Sequence, residues 1–172
     1  ARKVFGEDHP HTAASLLSLA GVYQDRGEMG RAKETYEEAL AIAERVHGVD
    51  DPEVAKHATN LGSLYVDLGD VDHAMPLLES ALAINELTFG PDHPSVAAVL
   101  LQMAAAALLQ GEPGVQFAER ALNIHRSIYG LQHPETSRTL DTFSRALAAD
   151  GRLEEAREAL AQSLTIQEQV VG

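Results

Sequence analysis

Apolar residues recur along the chain at the spacing of one face of an α-helix. The first such stripe consists of Leu16, Leu19, Ala20 and Tyr23, which stand at positions i, i+3, i+4 and i+7. A second stripe begins at Ala32 and ends at Ala43. Because the alternating pattern of a β-strand does not occur, the sequence predicts an all-α protein.

Prolines and glycines divide this pattern into eight helical segments. Proline is tolerated in the first turn of a helix, where its missing N–H would have no partner, and glycine is favoured where a helix ends and the chain reverses. The prolines are Pro10, Pro52, Pro94 and Pro134, and the glycines are Gly27, Gly69, Gly111 and Gly151. The predicted helices span about 10–26, 29–46, 52–68, 71–88, 94–110, 113–128, 134–150 and 153–170.

The same sequence recurs with a period close to 42 residues. Its copies are VFGEDHPHTA (4–13), VHGVDDPEVA (46–55), TFGPDHPSVA (88–97) and IYGLQHPETS (128–137). The third repeat is two residues shorter than the others, and the two missing residues lie in the turn after Gly111. We predict a single array, residues 1–172, with repeats at about 7–48, 49–90, 91–130 and 131–172. Residues 1–6 align with the end of a second helix, so we expect them to be the tail of a preceding repeat and the chain to be a fragment of a longer array.

The residues within each repeat resemble those of the tetratricopeptide repeat (TPR) family. The first repeat has Leu19-Ala20-x-x-Tyr23, Gly27-Glu28-x-x-x-Ala32 and Ala39-Leu40-x-Ile42. The long period and the Gly-x-Asp-His-Pro junctions are similar to those of kinesin light chains and many bacterial TPR proteins. HEAT and armadillo repeats have comparable periods but lack the Gly-acidic-x-x-x-Ala turn. The resemblance implies a right-handed α-solenoid of four TPR-like helix pairs, with a partial helix tail at the N-terminus.

The third repeat departs from the pattern of the others. It has Ala107 where Tyr23 and Tyr65 stand in the first two, and Gly114 where Ala32 and its equivalents stand. Its turn is also shorter. We expect this helix pair to pack more tightly, or at a shifted angle.

Composition narrows the classes of function. The 13 Lys and Arg residues against 26 Asp and Glu give a net charge of −13, which argues against nucleic-acid partners and against a polybasic membrane surface. There is no Cys, which excludes disulfides and thiol chemistry. The longest apolar stretch, 96–109, is too short to cross a bilayer as a helix, and no secretory leader opens the sequence. We therefore expect a cytoplasmic protein.

Candidate chemistry is sparse. His9, His93 and His133 precede three of the junction prolines, and Asp51 takes that place in the second repeat. They stand one repeat apart and do not converge on a metal ion, so we interpret them as residues that satisfy exposed N–H groups at the helix starts. No nucleophile turn and no phosphate-binding glycine loop is present. We expect no enzymatic activity, no metal and no cofactor.

What remains is a binding surface. The resemblance implies that the first helix of each pair lines a concave groove and that the ligand is a peptide segment of a partner protein. The predicted groove residues are Lys56, Asn60, Ser63, Val66, Asp67, Leu101, Gln102, Ala105, Leu108, Arg138, Asp141 and Arg145. Asn60 stands where peptide-binding TPRs often place an asparagine, whose amide can donate to and accept from a peptide backbone. The cations among these residues are expected to attract the ligand.

The helix at 94–110 is apolar on nearly every face, so its leucines offer an anchor site on the groove side. This suits a segment with one or two large apolar side chains and nearby acidic residues, and kinesin light chains are similar in taking acidic peptides with an aromatic anchor. The alternative is that Leu101 and Leu108 are ordinary core.

Two other functions stay open on the sequence. The last helix carries an apolar set that no following helix covers, which favours self-association through the ends of the array. The set consists of Leu153, Ala156, Leu160, Leu164 and Ile166. Alternatively, the chain is a sensory or regulatory domain of a larger signalling protein or enzyme.

Overall fold

A computed structural model describes residues 9–171 of the chain, with side chains through residue 169. Over that range the structure has eight helices and no strand, which confirms the all-α prediction. The helices are α1 (Pro10–Asp25), α2 (Met29–His47), α3 (Pro52–Asp67), α4 (Val71–Phe89), α5 (Pro94–Leu109), α6 (Val115–Tyr129), α7 (Pro134–Ala149) and α8 (Leu153–Val171). Every boundary lies within two residues of its predicted position. The predicted helix tail at residues 1–6 lies outside the described residues.

The chain divides into two compact units, Ala1–Thr88 and Phe89–Gly172. The division falls beside the predicted boundary between the second and third repeats. In the first unit α1 packs on α2, and α2 packs on α3. In the second unit each helix packs on the next, and α5 also contacts α7 directly.

Small side chains lie where the helices approach each other. In the first unit Ala20, Ala32 and Ala39 are completely buried, as are Leu64 and Leu78. Alanine at these points lets neighbouring backbones come close, while the leucines fill the space between them. In the second unit one apolar cluster takes residues from all four helices, among them Ala104, Leu122, Leu147 and Ile166.

The helix starts are capped as the sequence predicts. The Nδ1 atoms of His93 and His133 accept hydrogen bonds from the backbone N–H groups of Ser95 and Glu135, at 3.1 and 3.2 Å. His9 caps α1 in the same way, and the Asp51 carboxylate caps α3 at 2.8 Å. These bonds satisfy donors that have no partner inside the helix.

Two of the capping histidines also stack on an aromatic residue at the end of the preceding helix. The ring centroids of Phe89 and His93 are 4.5 Å apart, and those of Tyr129 and His133 are 4.6 Å apart. The histidine therefore fixes the start of one helix against the end of another.

Replacing His93 with alanine should lower the free energy of unfolding by about 1 kcal/mol, because the cap of α5 is lost. His93→Asp is the matched control, since Asp51 shows that a carboxylate caps the equivalent helix. The Asp variant loses the stacking on Phe89 but keeps a cap, so it should be the more stable of the two. Urea unfolding measures both, and equal stabilities would contradict the capping role.

The shortened turn of the third repeat brings α5 and α6 close together. Gly114 has φ +62°, and a Cβ added there would lie 3.0 Å from the Ala107 side chain and 3.1 Å from the Ala104 carbonyl oxygen. Glycine is required at position 114 twice over, for the positive φ and for the missing side chain. A Cβ on Gly62 of the second repeat would lie as close to Leu78, so the tighter or shifted packing of the third repeat stays a prediction.

His125 is a buried polar residue in the second unit. It is 5 % exposed, and its Nδ1 lies 2.7 Å from Thr139 Oγ1. The Thr139 hydroxyl donates to the Glu135 carbonyl oxygen, so its oxygen accepts the Nδ1–H of a neutral imidazole. Burial disfavours the charged form and lowers the pKa of His125 below its usual value.

Stability should therefore fall as the pH drops through the histidine range. A folded-state pKa below the unfolded one means that the unfolded chain binds the proton more readily, so the contribution of His125 is complete above about pH 6.5 and declines below it. His125→Asn should remove this pH-dependent part of the stability, because asparagine has no group that titrates in this range. The asparagine should fit, because Asn85 occupies the equivalent buried position in the second repeat. Urea midpoints at pH 7.5 and 5.5 for both proteins check this, and parallel pH profiles would contradict it.

Candidate interaction surfaces

In the first unit, the predicted groove residues other than Val66 lie on one side of α3. Lys56 and Asp67 are exposed, while Asn60 and Ser63 are half-buried. We call this accessible side of the first helix of a pair the first-helix face. These four residues stand three or four positions apart, which places them along a single stripe of α3.

Val66 does not belong to this face, and its prediction as a surface residue is wrong. It is only 8 % exposed and contributes little surface. Val66 lies in the last turn of α3, beside a cross-link between helix ends: the Gln24 amide donates to the Asp67 carboxylate at 2.6 Å. The Tyr36 hydroxyl donates in turn to the Gln24 side-chain oxygen, Oε1, at 3.1 Å. Val66 stands one turn after Gly62, which is buried against Leu78, so it lies toward the buried side of α3.

Two polar residues of α3 are engaged within their own helix. One N–H of the Asn60 amide donates to the Lys56 carbonyl oxygen at 2.9 Å, so its second N–H and its side-chain oxygen are left for a ligand. The Lys56 ammonium lies 3.5 Å from the Glu53 carboxylate, one turn earlier. The peptide contact expected at Asn60 thus keeps one donor and one acceptor.

In the second unit, the first-helix face on α5 is the least buried side of an otherwise apolar helix. Leu101, Gln102, Ala105 and Leu108 are all half-buried. The remaining positions between Val96 and Ala107 are buried, apart from the exposed Ala98. The side chains of Leu101 and Leu108 are thus neither fully exposed nor fully buried.

The neighbouring helix α7 supplies the polar part of this face. Arg138 pairs with Glu135 at 3.1 Å, and the Gln167 amide lies 3.4 Å from the Asp141 carboxylate. Arg145 is exposed and has no ion pair within the residues that the structure describes. Lys56 and Arg138 each pair with a glutamate one turn earlier in the same helix. Of the three cations predicted in the groove, Arg145 is therefore the one left to attract a ligand.

The last helix presents the exposed apolar surface expected of it, with two corrections. Leu153, Leu160 and Leu164 are 61 %, 45 % and 51 % exposed. Ala156 and Ile166 are buried against the second-unit core instead, because they lie on the side of α8 that faces this cluster. The residues equivalent to Leu160 and Leu164 in the first repeat, Tyr36 and Leu40, are both buried.

A second apolar surface lies on α1 and was not singled out from the sequence. Leu16, Leu19 and Tyr23 line a shallow pocket there together with Thr35 of α2. Leu19 is 42 % exposed, whereas its equivalent in the second repeat, Leu61, is buried at 3 %. Because both positions hold leucine, the sequence carries no signal for this surface, and only the burial in the structure distinguishes them.

Metal and membrane features are absent over the described part of the chain. Between residues 9 and 171, no three His, Asp or Glu side chains come together in a way that could hold a metal ion. In the same range, none of the helices is long and apolar enough to span a bilayer.

Comparison with known proteins agrees with the geometry. A family model described as "Tetratricopeptide repeat" matches residues 1–45, 12–86, 53–115 and 114–169. Among proteins with curated functions, none matches the sequence.

Solved structures with the same fold cover nearly the whole chain. BtubC (BKLC) from P. vanneervenii is 22 % identical with a TM-score of 0.83, over 95 % of this chain and 66 % of that protein. A kinesin light chain-like protein from Podosopora anserina with nearly identical TPR-like repeats is 29 % identical with a TM-score of 0.79, over 98 % of this chain and 80 % of that one. The predicted fold class of TPR-like helix pairs is confirmed.

Proposed function

This chain belongs to the tetratricopeptide repeat family, and from that membership we propose that it is a non-enzymatic scaffold that binds a peptide segment of a partner protein. TPR repeats are in general protein–protein interaction modules. We place the ligand on the first-helix faces and the protein in the cytoplasm, the latter in keeping with the absence of cysteine.

The observation that carries this proposal is the half-buried apolar stripe on α5. Leu101, Ala105 and Leu108 leave apolar surface accessible beside the charged residues of α7. An apolar anchor from a peptide would gain affinity by covering these leucines, while Arg145 and Asp141 at the edge would set its orientation. A neighbouring acidic residue on the peptide suits the exposed guanidinium of Arg145.

Selection from a random peptide library displayed on phage tests the proposal. The selected peptides should share one large apolar residue with an acidic residue nearby. They should bind the chain in solution and lose affinity for an Arg145→Glu variant. Arg157→Glu is the control, because Arg157 is an equally exposed arginine on α8, away from this face. Peptides without a common pattern, or with equal affinity for both variants, would contradict the proposal.

A second candidate function is self-association, favoured by the exposed faces of α1 and α8. Tyr36 and Leu40 of α2 are buried, and α8 exposes the equivalent pair, Leu160 and Leu164. The α1 face exposes Leu19, whose equivalent on α3 is the buried Leu61. Both faces thus expose residues whose equivalents are buried elsewhere in the array, and the proposal is that α8 of one copy packs on α1 of the next, head to tail.

Sedimentation velocity at rising concentration should then show a reversible increase in mass. The double variant Leu160→Glu, Leu164→Glu should remain monomeric with an unchanged helix content, since both residues are exposed. A wild-type protein that stays monomeric up to high micromolar concentration would rule out this function. The peptide-binding proposal would be unaffected.

A further inference from the structure

The second helices form a cleft of their own in the second unit. It has a volume of about 490 Å³ and lies between α6 and α8. Arg126 of α6 and Gln162 and Thr165 of α8 line its sides, and the buried Leu140 and Ile166 contribute its apolar lining. We call this space the second-helix cleft. It shares no residue with the first-helix faces.

Arg126 is held in the cleft with hydrogen-bonding capacity to spare. Its Nη2 donates to the Gln162 side-chain oxygen at 3.0 Å, which fixes the guanidinium in the wall. Its Nε is buried and has no hydrogen-bond partner among the described residues. A buried donor without an acceptor is unfavourable. The guanidinium as a whole lines the cleft, and an arriving acceptor would bind its accessible N–H groups.

The charge of Arg126 is unusual for its position in the repeat. The equivalent residues in the other three repeats are Glu44, Glu86 and Glu168. Several of the chain's cations pair with a glutamate one turn away, among them Arg31, Lys33, Lys56, Arg138, Arg152 and Arg157. Arg126 has no carboxylate partner within the part of the chain that the structure describes. On a protein of net charge −13, it is a cation without an internal counter-ion.

We propose that the second-helix cleft binds a peptide carboxylate, a glutamate or aspartate side chain flanked by apolar residues. The planar guanidinium matches a carboxylate, which it can bind through two parallel hydrogen bonds. Thr165 and Gln132 add polar groups at the rim, and Leu131, which is 62 % exposed, offers apolar surface to the flanking residue.

The single cation in the cleft and the net charge of −13 of the whole chain favour a singly charged carboxylate over a phosphate. A phosphate group carries nearly two negative charges at neutral pH and is usually bound by several cations or backbone N–H groups. Here only one guanidinium lines the cleft. The cleft therefore suits an acidic peptide segment and gives the protein a second peptide site, independent of the first-helix faces.

Titration of the ¹⁵N-labelled full chain with acetyl-Leu-Glu-Leu-amide tests this site. The Nε–Hε resonance of Arg126 should shift and saturate with the peptide, and acetyl-Leu-Gln-Leu-amide should leave it in place. Arg126→Gln should weaken binding at least tenfold. Arg157→Gln, which removes an exposed and paired arginine of the same unit, should leave binding unchanged.

Two further measurements keep the outcome decisive. Arg126→Lys retains the charge but not the planar fork, so it should bind less tightly than wild type even if Arg126→Gln folds poorly. Hexanoate, a small acid without a peptide backbone, should bind more weakly than the peptide. An unshifted Arg126 resonance, an equal response to the glutamine peptide, or equal binding of hexanoate would overturn the proposal. Leu101→Asp should not change this binding, which separates it from the first-helix face.

Discussion

Gly114→Ala will lower the free energy of unfolding by about 2–4 kcal/mol, one of the largest losses for a single added methyl group in this chain. Two effects add at this position. The positive φ of +62° is unfavourable for any residue with a Cβ, and the new Cβ would lie 3.1 Å from the Ala104 carbonyl oxygen. The contact with the Ala104 carbonyl oxygen cannot be relieved by a side-chain rotation, because this oxygen belongs to the backbone of α5. Chemical unfolding followed by circular dichroism measures the loss.

Gly151→Ala provides the matched control for this substitution. Gly151 has φ +77°, and nothing lies within 4 Å of the position that its Cβ would occupy. It should therefore lose only the backbone part, about 1–2 kcal/mol. The difference between the two variants isolates the close approach of α5 and α6. Equal losses would show that the third turn is no tighter than the others.

The repeat architecture was readable from the sequence because its signals are local. Proline in a first turn and glycine after a last turn act through backbone geometry alone, so Pro94 and Gly111 locate α5 without knowledge of what packs on it. The capping role of His93 is local as well, since donor and acceptor lie two residues apart. Both features were predicted correctly.

The first-helix face was readable only in part, because exposure depends on neighbours. The period places Val66 beside Ser63, but it does not show that Val66 is buried or that Gln24 of α1 is hydrogen-bonded to Asp67 of α3. Similarly, the sequence shows the amide of Asn60 but not its rotamer, which directs the donor to its own helix. Side-chain partners chosen among several possible ones cannot be inferred from spacing.

The second-helix cleft was missed for a different reason. Its signal is a contrast between repeats, an arginine where the three others have glutamate, and not a motif within one repeat. The family resemblance implies a binding role for the first helices and none for the second helices, where Arg126 stands. A position-by-position comparison of charge would have singled out Arg126.

Leu101→Asp and Leu108→Asp should abolish binding of the library-selected peptides while leaving the fold intact. Half-buried leucines at an anchor site contribute strongly to affinity, and a carboxylate there would also repel an acidic ligand. We expect a loss of at least about tenfold in affinity for each variant, which corresponds to ~1.4 kcal/mol. The free energy of unfolding should fall by only about 1 kcal/mol, because each leucine is already partly exposed to water.

Leu100→Asp gives the comparison that decides between anchor and core. Leu100 is adjacent to Leu101 on the same helix but only 1 % exposed, so burying a carboxylate there should unfold the second unit or cost about 4 kcal/mol or more. Peptide affinity by isothermal titration and unfolding midpoints in urea are measured for all three variants. If Leu101→Asp or Leu108→Asp destabilises the protein as much as Leu100→Asp, the leucines serve as core and the anchor site on α5 does not exist. If both remain folded and lose the peptides, the stripe on α5 is the surface that binds the partner.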